Sequence, residues 1–250
     1  MRYLGLKSKR PRVGVYDFTG CEGCQLQLAN KEETLAAFLQ AIRIVGFREI
    51  SSAASAVCDI ALVEGAISRP DEIERLQTIR ARAKTLVALG CCACHGGVNR
   101  LKDAVGSAAA NAEVYGSQPK VTLPARPVRD FVAVDFAIPG CPVDKNEVER
   151  IVQHLLWEIP FRFPAYPVCL ECKQNYTICL FEQGRLCLGP VTMGGCNEVC
   201  PAGGTGCLGC RGPAADPNYE EFFAMARDRG FSEREIRDCF AFFGAFGERP

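Results

Sequence analysis

The side chains in this sequence best suited to chemistry are its cysteines, 16 in 250 residues. Thiolates ligate soft metal ions and iron–sulfur clusters, or they pair as disulfides. One set is Cys21-Glu-Gly-Cys24 with Cys92 and Cys141, each in a loop rich in Gly or Pro. The loops read Thr19-Gly20-Cys21, Gly90-Cys91-Cys92-Ala93-Cys94-His95-Gly96-Gly97 and Pro139-Gly140-Cys141-Pro142. Four thiolates can hold one [4Fe–4S] cluster, one on each iron. Glycine lets the backbone come close to a cluster and turn its amides toward the sulfurs. A second set is Cys169-Leu-Glu-Cys172 with Cys179 and Cys187, and a third is Cys196, Cys200, Cys207 and Cys210. These eight suffice for two more clusters, although ligands of neighbouring clusters can interleave, so their partition stays open. Four-thiolate zinc is the rival reading; a proline directly after a ligand, as in Cys200-Pro201, favours iron–sulfur. A disulfide framework ranks second, because disulfide-dense scaffolds are usually short and this chain is long enough to build a core.

The elements that position these residues can be read from hydrophobic patterning. Arg12–Phe18, Asp59–Val63, Thr85–Leu89 and Phe131–Ile138 are β-rich. The last three are mostly apolar, as strands covered by helices on both faces are. Ser68-Arg-Pro-Asp71 has the form of a capping box with Pro in the first turn, ahead of Ile73 and Leu76. Asp144 is placed to cap a helix with Glu147 three residues on, followed by Val148, Ile151, Val152 and Leu155. This βαβα alternation predicts an α/β fold with a doubly wound parallel sheet. Cys21 and Cys24 then follow the first strand, Cys92 the third and Cys141 the fourth. Ligands of open parallel sheets bind beyond the carboxyl ends of the strands, so three loops would converge on one site.

Pro160, Pro164 and Pro167 mark a boundary, with domains expected at 1–160 and 161–250. Residues 161–211 show little periodicity, and their core is expected to be the metal site itself. Helical stripes return at Tyr219, Phe222, Phe223 and Ala226. They recur at Ile236, Cys239, Phe240 and Phe243, behind a Ser232-x-x-Glu235 capping box. These helices would pack on the cysteine-rich segment or on a partner. Lys+Arg and Asp+Glu balance at 29 each, so no bulk attraction to nucleic acid or anionic membrane follows. No apolar run is long enough to span a membrane and no export signal is read, so the chain is expected in the cytoplasm with its thiols reduced unless metal-bound. Cys58 and Cys239 read as structural thiols, Cys91 and Cys94 as neighbours of a ligand, and His95 and His154 as structural.

With Val63-Glu64-Gly65, the three loops resemble the proximal-cluster signature of [NiFe]-hydrogenase small subunits. Cys187-Leu-Gly-Pro-Val-Thr, Gly195-Cys196 and Cys207-x2-Cys210 resemble the medial and distal segment of that family. The likeness extends over roughly residues 12–211 and is nearest to cytoplasmic hydrogenases. These are NAD(P)-linked, of the sulfhydrogenase delta type, or linked to a deazaflavin or a heterodisulfide reductase. It implies a flavodoxin-like first domain, also found in the cluster-bearing subunit beside the quinone site of respiratory complex I. By the resemblance, Cys21, Cys24, Cys92 and Cys141 are proximal ligands, with Cys91 at the family's serine position. Cys169, Cys172, Cys179 and Cys187 match the distal set; the first of these is often His in membrane-associated relatives. Cys196, Cys207 and Cys210 match the medial set. Cys200 offers a fourth ligand where relatives with a three-iron cluster have Pro, so three [4Fe–4S] clusters are expected. Glu64 matches a carboxylate near the proximal cluster, where it could tune the cluster, relay protons or pack the loop; Glu22, between two ligands, has no assigned role. The nickel–iron site would lie on a separate large subunit, and flavin/iron–sulfur diaphorase-type subunits would take the electrons. Two alternatives stand beside this: a complex I-like subunit passing electrons to quinone, which needs only one cluster, and a zinc-binding interaction protein.

Overall fold

The computed structural model describes residues 10–30, 40–52, 55, 57–118 and 120–247. The chain divides into two compact units, Met1–Phe161 and Arg162–Pro250.

The first unit is built on five parallel strands, β1 (Arg12–Asp17), β2 (Arg43–Gly46), β3 (Cys58–Glu64), β4 (Ala83–Leu89) and β5 (Phe136–Ile138). Their order, β2-β1-β3-β4-β5, is the flavodoxin-like doubly wound arrangement, with the chain reversing direction across the sheet between β1 and β3. Central β3 is buried at every position, which explains why Cys-Asp-Ile-Ala-Leu-Val-Glu does not alternate. Leu76 and Ile79 of the helix Pro70–Arg82 close over Tyr16, Ala61, Val63 and Leu86.

The structure corrects several sequence expectations. Strand β2 went unrecognised: Arg-Ile-Val-Gly is short, lies on the sheet edge and buries only its last residue. The last strand begins at Phe136 rather than Phe131. Residues 128–130 instead form a single helical turn, and the Asp135 carboxylate accepts the Leu86 amide (2.7 Å) and pairs with Arg80 (2.5 Å). The box before the helix Pro70–Arg82 closes on Glu72, not Asp71. Glu72 Oε2 accepts the amides of Ser68 (2.8 Å) and Arg69 (3.1 Å), while the Ser68 hydroxyl meets that of Thr19 (2.8 Å). Arg69 precedes proline and is extended, so the helix starts one residue later than Ser68 would place it. The helix Lys145–Trp157 is capped by Asp144, which accepts the Glu147 amide (2.7 Å); Leu156, rather than Leu155, completes its buried face.

The second unit has an apolar core of its own, contrary to the expectation of a core made by metal alone. Val168, Leu180, Phe181, Leu188 and Val191 from the cysteine-rich segment pack with Phe222, Ala226, Ile236, Phe240 and Phe246. The last five come from the helices Tyr219–Asp228 and Glu233–Ala241 and the turn after them. Ser232 and Glu235 form the expected capping box. The tail helices therefore cover the cysteine-rich segment, and their phenylalanines meet edge-to-face, as Phe222 and Phe240 do at 5.4 Å.

At the amino ends of β1 and β3, Asp59 accepts the Arg12 amide (2.8 Å) and two guanidinium bonds (3.2 Å each). Burial opposes the charge of Asp59, but the hydrogen bonds and charge of Arg12 prevail and hold its carboxyl below the usual range. Such a pair contributes stability above the unfolded carboxylate's titration, at about pH 4. That contribution is lost as pH falls through the lowered native value. Asp59→Asn should therefore flatten the acid limb of the stability–pH curve, measured by urea unfolding between about pH 3 and 6; an unchanged slope there would refute the assignment.

Candidate metal centre

The register of the parallel strands brings their carboxyl ends into one row. Asp17 lies opposite Glu64, Glu64 opposite Leu89, and Leu89 opposite Ile138. The loops leaving this row carry Cys21, Cys24, Cys92 and Cys141. Cys24 sits in the first turn of the helix Gly23–Ala29, and Cys92 sits in the short helix Gly90–His95. The Cys91 amide donates to Gly140 O (2.7 Å), which ties the Cys92 loop to the Cys141 loop.

The four thiols share one neighbourhood. Burial pushes Cys92 up to about 12, and the charges of Cys141, Cys21 and Glu64 add to it. Cys24 is raised by burial, by Glu64 and by Cys141. Four thiolates packed this way repel one another in low dielectric, and cations among them relieve that cost. Backbone approaches closely on two sides. A Cβ on Gly90 would fall 2.4 Å from Cys24 Sγ, and one on Gly97 would fall 2.6 Å from Cys92 Sγ; both residues also have φ in the left-handed region. Only glycine satisfies both conditions at these positions.

Two partners complete the arrangement. Glu64, at the end of β3, is buried and accepts the amides of Cys24 and Gln25, both at 2.9 Å. Burial raises its pKa, against those two amides. Of the roles considered for Glu64, holding the Cys24 helix is the one its hydrogen bonds display. Asn99 was missed by sequence reasoning: its amide donates to Cys92 Sγ (3.4 Å) and to Thr19 O (3.2 Å). Its signal was weak, a single Asn two residues beyond Gly97. Glu22 takes a left-handed backbone conformation at the start of the Cys24 helix, and its carboxyl contacts that of Glu49, which raises it.

In the second unit, Cys169, Cys172, Cys179 and Cys187 come together. Cys169 is pushed up to about 12 by burial, then by Cys187, Cys172 and Cys179. Cys172 rises to about 11 by burial and by Cys187, Glu198 and Cys179. A Cβ on Gly189 would lie 3.3 Å from Cys169 Sγ and 3.4 Å from Cys187 Sγ, so these two sulfurs flank the same backbone point. The third set is looser: Cys196 feels Cys200, and Cys207 feels Cys210. Cys187 stands between the sets, because it feels Cys200 and its sulfur accepts the Cys207 amide (3.2 Å).

No disulfide joins any two of the sixteen cysteines. Among the described residues, no three His, Cys, Asp or Glu side chains gather about the position of a single ion. A four-iron cluster gives each thiolate its own iron, so its ligands surround a cage instead of a point. The remaining cysteines have local contacts. Cys58 lies 3.6 Å from the Tyr16 hydroxyl, Cys94 reaches Ala88 O at 3.6 Å, and Cys239 is pushed up to about 12 by burial and Cys187. His154 Nδ1 lies 3.3 Å from Pro160 O, and burial, Arg129 and Arg100 lower His95 to about 4, so its ring is neutral.

Comparison with known proteins places the chain in a family. Residues 21–155 match the family "NADH ubiquinone oxidoreductase, 20 Kd subunit". Sulfhydrogenase 2 subunit delta of Pyrococcus furiosus is 42% identical over 221 residues, 87% of this chain and 92% of that protein. A subunit of the F420-non-reducing hydrogenase of Methanocaldococcus jannaschii is 32% identical, over 80% of this chain and 81% of that one. A chain of an NAD+-reducing [NiFe]-hydrogenase crystallised in its H2-reduced state superposes with a TM-score of 0.57 at 25% identity, covering 62% of this chain and 96% of that one. The chain belongs to this 20 kDa subunit family and, within it, to the small subunits of [NiFe]-hydrogenases. It is thus an iron–sulfur, electron-transferring hydrogenase subunit that works with a separate large subunit. None of its described helices is long and apolar enough to cross a membrane.

Glu64→Ala would leave two buried amides unpaired, at a cost of about 1–3 kcal/mol each. Glu64→Gln keeps one acceptor and should lose about half as much. Urea unfolding of both variants measures this, and equal losses would contradict the clamp.

Proposed function

We propose that the chain relays electrons through three [4Fe–4S] clusters between the nickel–iron site of its large subunit and a diaphorase-type partner in the cytoplasm. The proximal cluster is held by Cys21, Cys24, Cys92 and Cys141. The medial one is held by Cys196, Cys200, Cys207 and Cys210, and the distal one by Cys169, Cys172, Cys179 and Cys187. The observation that carries this reading is the gathering of Cys21, Cys24, Cys92 and Cys141 from three loops at the carboxyl ends of the strands. Bound clusters supply one-electron chemistry at potentials set by charge, hydrogen bonds and exposure. The chain's task is to hold the thiolates, bring backbone amides near them and limit water.

Exposed Leu26, Val98 and Leu101 flank Cys24 and Cys92 in the chain, and Cys21 and Cys141 are themselves exposed. Exposed apolar side chains near ligands in the chain suit a permanent partner that covers them. The solved hydrogenase to which this chain is similar is described as NAD+-reducing, which supports NAD(P) as the final acceptor. The second unit holds nine cysteines, and the eight in residues 161–211 exceed the needs of a one-cluster subunit that passes electrons to quinone.

Metal analysis and electron paramagnetic resonance of the native complex, isolated anaerobically through a tag on this chain, test the assembly. Nickel should co-isolate with at least about twelve irons per copy of this chain, about four for each of its three clusters, the partner subunits adding their own. Iron without nickel would move the protein toward the complex I-like branch, and an oxidised three-iron signal in undamaged protein would remove Cys200 from the ligands. Cys21→Ser and Cys141→Ser should each uncouple hydrogen oxidation from acceptor reduction in the assembled complex; coupled wild-type turnover in both would refute the proximal assignment.

A further inference from the structure

Two buried charged side chains in the second unit act on the segment that carries Cys196. Glu171 lies inside the Cys169-x-x-Cys172 motif, yet its carboxylate turns to the other ligand set. Oε1 accepts the Gly195 amide (2.5 Å) and Oε2 the Glu198 amide (3.1 Å), so the two residues bracketing Cys196 and Asn197 are gripped by one carboxylate. The Cys196 sulfur lies 3.9 Å from Oε2. The grip is reciprocal: buried Glu198 accepts the Asn175 side-chain amide (2.8 Å to each oxygen) and the Thr177 hydroxyl (3.3 Å), both just beyond the Cys172 helix. Asn197 and Glu198 carry positive φ, 54° and 38°, a conformation that Asn adopts readily but that is costly for Glu198, and the segment is held here from both directions.

Arg211 approaches the same segment. It follows Cys210 in the chain and is 2% exposed. Its Nε donates to Gly194 O (2.9 Å), its guanidinium lies 5.9 Å from the Phe163 ring, and a Cβ on Gly195 would fall 2.7 Å from its Nη2. Its charge favours the Cys196 thiolate, opposing burial and the charge of Glu171.

We propose that Glu171 and Arg211 are positioning residues of opposite sign that hold the Cys196 segment and together set the reduction potential of the cluster Cys196 ligates. The proposal rests on the cluster assignment made above. A reduced cluster carries one more negative charge than an oxidised one. Arg211 therefore favours reduction and Glu171 opposes it, in a buried setting where charges act strongly. Since Glu171 belongs to the motif of one cluster and grips a ligand of another, a single side chain ties the geometry of the two sets together.

The test is a redox titration of the native complex followed by electron paramagnetic resonance. The cluster in question is identified as the one whose signal changes in Cys196→Ser. Glu171→Gln, which keeps the shape and one acceptor, should raise its potential. Arg211→Gln should lower it, and Arg211→Lys, which keeps the charge, should restore it toward wild type. Shifts of the same sign in Glu171→Gln and Arg211→Gln, or no shift in either, overturn the proposal. Should Arg211→Gln lose that cluster's iron, retention in Arg211→Lys supports the proposal, and loss in Arg211→Lys as well overturns it. If Cys196→Ser alters no cluster signal, the ligand assignment itself fails, an outcome distinct from unchanged potentials.

Discussion

Thiolates crowded away from water repel one another, and this chain crowds them repeatedly. In both units burial is the largest influence on Cys24, Cys92, Cys169, Cys172, Cys187, Cys196 and Cys207, and neighbouring thiols add to it for each of them. A site of this kind suits charges that repay the repulsion, and its ligands have to be held where those charges can be reached. Much of the rest of the structure answers that requirement. Parallel strands in register end in one row, the loops leaving that row contain glycine where a Cβ would strike sulfur, and buried carboxylates pin the loop amides.

The two units meet the requirement differently. In the first, a sheet with a fully buried central strand provides a stiff edge, and short loops need only carry a cysteine outward. In the second there is no such sheet among the described residues, and the cysteine-rich segment has little regular structure. Its stiffness comes from an aromatic core shared with the two tail helices, in which Phe181, Phe222 and Phe240 contact one another in series. The tail is thus part of the site's support although its one cysteine, Cys239, is no proposed ligand.

What was legible in the sequence follows from which signals are local. The strands β1, β3 and β4, the Asp144 and Ser232 caps and the tail stripes are patterns over a few residues, and each could be read directly. Gly90 and Gly97 could be read as close-approach residues because they sit beside cysteines. Strand β2 could not be read, since a short half-exposed edge strand resembles any loop with two β-branched residues. The start of β5 was misplaced because Phe131, Val132 and Val134 pack against the core without pairing in the sheet, and composition cannot tell packing from pairing. Asn99, Glu171 and Glu198 were invisible for a further reason: the groups they bind, from the Cys92 sulfur to the Cys196 segment, come near them only through the fold.

One device recurs at three places and explains why buried acids survive in a chain whose charges otherwise lie mostly at the surface. Glu64 grips the amides of Cys24 and Gln25, Glu72 those of Ser68 and Arg69, and Glu171 those of Gly195 and Glu198. In each case a carboxylate from one element takes two backbone donors of a turn that would otherwise be left unpaired, and charge-assisted bonds of this kind are about twice as strong as neutral ones. For a protein that moves electrons and makes no bonds, precise placement of such turns is the function. Glu64 and Glu171 go further than Glu72, because each also sets a negative charge beside a thiol, Cys24 or Cys196. A clamp so placed cannot be electrically neutral toward what the thiolates hold. On the ligand assignment and the charge roles proposed above, position and potential are fixed by the same side chains, and a substitution at either carboxylate changes both together.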